Sequence, residues 1–103
     1  MSELHDLKQR LRAFTAARDW EQFHTPKNLA MALVAEAAEV VEHFQWLTAA
    51  ESSALPPEQQ AEVALELADV LLYLVMLADK LDVDLGEAAH RKITLNESRF
   101  PSR

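Results

Sequence analysis

Apolar side chains recur along this chain at helical spacing. Leu4, Leu7, Leu11 and Phe14 follow a 3-4-3 rhythm with Lys8, Gln9, Arg10 and Arg12 between them. That pattern predicts an amphipathic helix over about 3–18, with Ser2 as its N-cap. Residues 19–24 break the rhythm and are dense in aromatics. Thr25-Pro26 pairs a capping side chain with proline at the first helical position, and no breaker follows before about Trp46, which predicts a second helix. Thr48 and Glu51 fit one capped turn. Residues 52–57 read as a loop, with Pro56-Pro57 opening a third long segment that reaches about Leu81. Asp84 and Glu87 have the spacing of a capping box for a last helix over about 85–96. Pro101 and the residues after it are expected to fray. The prediction is one all-α domain over residues 1–103, an antiparallel four-helix bundle-like protomer.

Composition sharpens this picture. A single glycine, Gly86, excludes a turn-rich β fold and a glycine-rich phosphate loop. The absence of cysteine excludes disulfide scaffolds, zinc-thiolate sites, iron–sulfur clusters and cysteine nucleophiles. The middle helices are apolar on every face: Leu29 to Ala38 is interrupted only by Glu36, and Val70 to Ala78 carries no charge. A helix apolar all round must be covered all round, and the two shorter helices are too small to do so. A homo-oligomer is therefore expected, with a homotetramer (dimer of dimers) as the preferred form.

The net charge of −7 argues against a nucleic-acid or anionic-membrane surface, both of which need clustered positive charge. The start of the chain is charged and mixed, unlike a signal peptide. The longest apolar stretch falls far short of the roughly 20 residues that span a bilayer. The expected setting is cytoplasmic, with no membrane and no nucleic-acid partner. A phosphate-ester ligand for so acidic a chain would need a divalent metal between two negative partners.

Four acids stand where the hydrophobic pattern does not want them. Glu36 and Glu39 project from adjacent turns of one helix face, and Glu66 and Asp69 repeat the relation on the third long segment. Like charges at this spacing weaken a helix, and burial adds a desolvation cost. Two facing pairs make an all-oxygen cage suited to Mg²⁺, which takes a few carboxylates together with phosphate oxygens and water. Glu42 has rotated to the cage edge, and Glu62 sits one turn before Glu66. A carboxylate di-iron bundle would need Glu-x-x-His on two helices, and only Glu87 and His90 have that spacing. Solvated surface acids paired with lysine or arginine are the plain alternative.

With these acids, the segments RDWEQFH (18–24), Pro26 with Asn28-Leu29, FQW (44–46), DVLLYLV (69–75) and Val83 to Leu85 give the chain a family resemblance. From about Leu7 to Pro101 it resembles the MazG-like all-α nucleoside triphosphate pyrophosphohydrolases, in the dCTP pyrophosphatase branch. The resemblance implies Mg²⁺-dependent cleavage between the α and β phosphorus atoms, releasing a monophosphate and diphosphate. It also implies Glu36, Glu39, Glu66 and Asp69 as metal ligands. Trp20, His24, Trp46 and Tyr73 would line the base and sugar pocket, and Lys92, Asn96 and Arg99 would reach the phosphates or sugar. The expected substrate is dCTP or a base-modified dCTP. The alternatives are a broad-specificity or dUTP-directed enzyme, or a non-catalytic oligomeric helical module that binds a partner. His5, His43 and His90 receive no role from this reading.

Overall fold

The computed structural model describes residues 2–102, all of them in helices, turns or connecting segments with no strand. Helix α1 spans Glu3–Ala17, α2 Pro26–Glu42, α3 Ala49–Ser52, α4 Pro57–Lys80 and α5 Leu85–Arg99, with a 3₁₀ turn at Glu21–Phe23. The all-α expectation holds, including the single turn at α3. Arg103, part of the end expected to fray, lies outside the described residues.

Local side-chain chemistry starts four of the five helices, and α4 opens at Pro56-Pro57 without a side-chain cap. The Ser2 hydroxyl accepts from the His5 N–H at 3.1 Å, and that of Thr25 from the Asn28 N–H at 3.1 Å. Thr48 and Glu51 form a reciprocal capping box with bonds of 3.1 and 2.9 Å, and Asp84 accepts from the Glu87 N–H at 3.0 Å. Each satisfies backbone donors that a helix leaves unpaired at its start.

Two helices close through a left-handed aspartate in the place glycine usually takes. Asp19 and Asp82 take left-handed backbone conformations, with φ of 56° and 55°. The Trp20 N–H reaches the Thr15 carbonyl at 3.0 Å, and the Val83 N–H the Ala78 carbonyl at 2.9 Å. Both are Schellman closures, and aspartate is among the few side chains that tolerate the conformation.

Helix α2 stops at Glu42, short of the expected end near Trp46. The reason lies outside the helix. The Gln59 side-chain amide donates to the His43 carbonyl at 3.2 Å, while the Leu47 N–H turns to the Phe44 carbonyl at 2.9 Å. The last turn tightens and the chain leaves the helix axis. Helix α5 runs past the expected Asn96 to Arg99 before Pro101.

The packing centres on α4. Helix α2 lies along it antiparallel: the end of α2 meets the start of α4 at the His43–Gln59 bond, and the acids of both helices meet midway. Helix α1 also packs on α4, through a bidentate pair in which Arg12 donates to Asp79 at 2.6 and 2.8 Å. Leu29, Val63, Val75 and Ala78 form the buried apolar core.

That core is small for the chain. Trp46 is 87% exposed, Leu65 71% and Val34 70%, and α5 buries no residue. The radius of gyration is 16.5 Å, against about 13 Å for a compact chain of this length. The outer faces of α2 and α4 are thus uncovered within one chain, and α5 does not close a four-helix bundle by itself. No helix among the described residues is long and apolar enough to cross a membrane.

The Arg12–Asp79 pair carries a pH signature. The guanidinium beside Asp79 holds its carboxyl below the ordinary aspartate value. A lowered folded-state pKa contributes stability above the unfolded value, about 3.9, and that contribution is lost as pH falls through the folded value. Asp79→Asn should therefore lower Tm at pH 7, with the gap from wild type closing below about pH 4. Thermal melts across that range check this, and a gap that persists unchanged into acid would show that the pair is not the source.

Candidate metal centre and adjoining cavity

The antiparallel register of α2 and α4 brings two acidic pairs together. One carboxylate oxygen from each of Glu36, Glu39, Glu66 and Asp69 lies within 4.8 Å of the others. The spacing of three within each pair puts both acids of a helix on one face, and pairing the helices then converges all four. Glu36 and Glu66 are half-buried, and Glu39 and Asp69 are exposed at the mouth.

The cluster is electrostatically unfavourable as it stands. Glu36 Oε2 and Glu66 Oε2 are buried without a hydrogen-bond partner. An orphaned buried acceptor of this kind is destabilising, more so when charged. Burial, then the close Glu39 carboxyl and repulsion from the other acids, pushes Glu36 above the ordinary glutamate value. Glu66 is pushed the same way, chiefly by the close Glu39 carboxyl and by burial, with His43 pulling in the opposite direction. Four converging carboxylates, two of them carrying an orphaned oxygen, fit a hard divalent cation.

A cavity of about 220 Å³ adjoins this cluster through Asp69. Trp20, His24, Tyr73, Phe14, Leu72 and Met76 are among the residues around it. Tyr73 stands one turn after Asp69 on α4, so the same helix face carries both. The Schellman closure of α1 aims Trp20, whose ring meets Phe14 edge-on with centroids 5.5 Å apart. A contact between these two positions commonly accompanies this helix ending. Three bonds fix the segment that carries His24. Asn28 donates to the Phe23 carbonyl at 2.9 Å, Gln22 to the Asp19 carbonyl at 3.1 Å, and Lys80 reaches Glu21 at 3.4 Å.

Trp20, His24 and Tyr73 are therefore gathered beside the acids. Trp46, Lys92, Asn96 and Arg99 are not among the residues around this cavity. Trp46 projects from the turn after α2, and the other three lie on α5, where Arg99 stacks over Phe100 at 5.1 Å. Two residues escaped the sequence reading. Phe14 was assigned to the apolar stripe of α1, yet it is 43% exposed in the cavity wall, with the Arg18 guanidinium 3.7 Å from its ring centre. His43 places Nε2 3.9 Å from Glu66 Oε1. Its spacing of four from Glu39 was the available signal. A larger cavity of 440 Å³ lies between the start of α1 and the α4–α5 connection, away from the acids; His5 and Lys8 face Asp79, Asp82 and Asp84 there.

Residues 31–102 match the MazG-like family. The chain is 46% identical over 100 residues to dCTP pyrophosphatase 1 of Mus musculus, and 45% identical over 101 residues to that of Homo sapiens. These alignments cover 95% and 96% of this chain, which spans 59% of the length of each relative. A crystal structure of a pyrophosphatase from Archaeoglobus fulgidus superposes with a TM-score of 0.92 at 38% identity, covering 99% of this chain and 95% of that one. The chain belongs to the MazG-like family, and within it resembles the dCTP pyrophosphatase branch.

The strain in the acid cluster gives a two-sided expectation. Glu36→Gln removes a buried charge from the cage, so it should raise Tm of the cation-free protein while weakening Mg²⁺ binding by at least about tenfold. Melts with EDTA and titration calorimetry with Mg²⁺ check the two halves. A lower Tm with unchanged Mg²⁺ affinity would contradict the assignment.

Proposed function

We propose that the chain hydrolyses a pyrimidine deoxynucleoside triphosphate, dCTP or a base-modified dCTP, to the monophosphate and diphosphate, cleansing the nucleotide pool. The observation that carries this reading is the contact between the four-carboxylate cluster and the Trp20–His24–Tyr73 cavity, with Asp69 belonging to both. The named activity of the curated relatives and of the archaeal structure supports it.

In this reading Glu36, Glu39, Glu66 and Asp69 hold Mg²⁺. A cation held there would supply charge neutralisation at the phosphate oxygens and would acidify the attacking water. Trp20 stacks on the base, His24 bonds to its edge or to the sugar, and the Tyr73 hydroxyl meets the sugar. A carboxylate of the four accepts the proton from the water whose oxygen attacks the α-phosphorus. The bond to the α–β bridging oxygen breaks, and diphosphate leaves. The protein does little covalent work, and its contribution is positioning and electrostatics.

The same proposal makes the enzyme a homotetramer, a dimer of dimers, acting in the cytoplasm as one catalytic domain. The uncovered apolar faces of α2 and α4 support the assembly. A neighbouring copy would bring Trp46 to the base and sugar pocket, and the α5 residues Lys92, Asn96 and Arg99 to the phosphates or sugar.

Diphosphate release from canonical and cytosine-modified triphosphates, with Mg²⁺ and with EDTA, tests the reaction. Release should depend on Mg²⁺ and favour cytosine nucleotides. Asp69→Asn should lower kcat by about 10²–10⁴ in a folded protein. Trp20→Ala should raise KM or blur base preference more than it changes Mg²⁺ affinity. No release from any triphosphate by the folded wild type would overturn the reading.

A further inference from the structure

The cage has a neighbour that the reading above leaves unused. His43 follows Glu36 by seven residues and Glu39 by four, so it continues the acidic face of α2 by one turn. It caps the end of α2, and its carbonyl is held by the Gln59 side chain of α4 at 3.2 Å. The backbone of His43 is thus tied to both helices that carry the acids. Nε2 lies 3.9 Å from Glu66 Oε1, with the two side chains 20% and 25% exposed. The other oxygen of the same carboxylate, Oε2, is buried and unpartnered.

We propose that His43 is a positioning residue for Glu66: its imidazole presents Nε2–H to Oε1 and holds the carboxylate plane, leaving Oε2 for the cation. The idea rests on the cation-site reading and adds to it the group that orients one of the four ligands. A ligating carboxylate is itself commonly hydrogen-bonded, and losing such a partner typically costs 10–100-fold in metal affinity. The 3.9 Å separation is within reach of a single bridging water or a small side-chain shift. A purely structural His43 would act through its backbone, whose carbonyl already has its partner in Gln59, and any side chain there would serve equally.

The experiment is Mn²⁺ binding to the full chain without nucleotide, by calorimetry or electron paramagnetic resonance, for wild type, His43→Phe, His43→Gln and Glu39→Gln. Far-UV circular dichroism and Tm establish folding. The expected result is a loss of about tenfold or more in Mn²⁺ affinity for His43→Phe. His43→Gln, whose amide donates, should stay within about threefold of wild type. If His43→Phe binds as wild type does while Glu39→Gln fails to bind, the positioning role is overturned and the cage stands. If His43→Phe and His43→Gln lose affinity equally, the donor argument is overturned, and the same holds if His43→Phe does not fold and His43→Gln binds poorly. If wild type binds no Mn²⁺, the cation-site reading falls first and takes this inference with it.

Discussion

Four carboxylates held within 4.8 Å of one another are the constraint on which the rest of this protein depends. Two of their oxygens are buried with no partner, and the surrounding side chains are those of two apolar helices. Folding alone gains nothing from such a cluster: desolvation and mutual repulsion both oppose it, and the raised values of Glu36 and Glu66 register that opposition. A cation that bound only the folded chain would offset this cost, since such binding shifts the folding equilibrium by mass action. The acidic net charge then fits a phosphate ligand, because the neutralising charge enters with the cation.

The fold serves that cluster through one long helix. Helix α4 is the platform: α2 lies along it to bring the acidic pairs together, and α1 lies on it to place Trp20 beside Asp69 and Tyr73. The Schellman ending of α1 is what turns the chain so that the Trp20 ring meets Phe14 beside the cavity that Asp69 also lines. The economy has a consequence at the surface. A platform with acids on one face and apolar residues on the others leaves Met31, Val34, Leu65 and Leu67 facing outward, more apolar surface than one chain of this size can cover.

Much of this was legible in the sequence wherever the physics is local. Ser2, Thr25, Thr48 and Asp84 cap the nearest backbone donors, so the helix starts could be read from four-residue windows. The acidic pairs could be read because a spacing of three has one meaning on a helix and because their apolar surroundings made them costly. The end of α2 could not: it depends on Gln59, sixteen positions from the carbonyl it holds. Phe14 reads as a core residue from periodicity, and only the turn at Asp19 reveals that Trp20 covers its edge. His43 carried a spacing signal, but its distance to Glu66 follows from packing α2 on α4. The placement of Trp46, Lys92, Asn96 and Arg99 relative to the acids is beyond a single chain's periodicity, since α5 buries none of its residues here.

The central claim is that the acids exist to hold a divalent cation, and diffraction from crystals grown with Mn²⁺ tests it most directly. Manganese shares the preference of magnesium for carboxylate oxygen and has an anomalous signal. The account predicts an anomalous peak enclosed by Glu36, Glu39, Glu66 and Asp69, with at least one of the orphaned oxygens of Glu36 and Glu66 turned toward it. Density showing the four carboxylates neutralised by lysine or arginine side chains, with no anomalous peak among them, would contradict it.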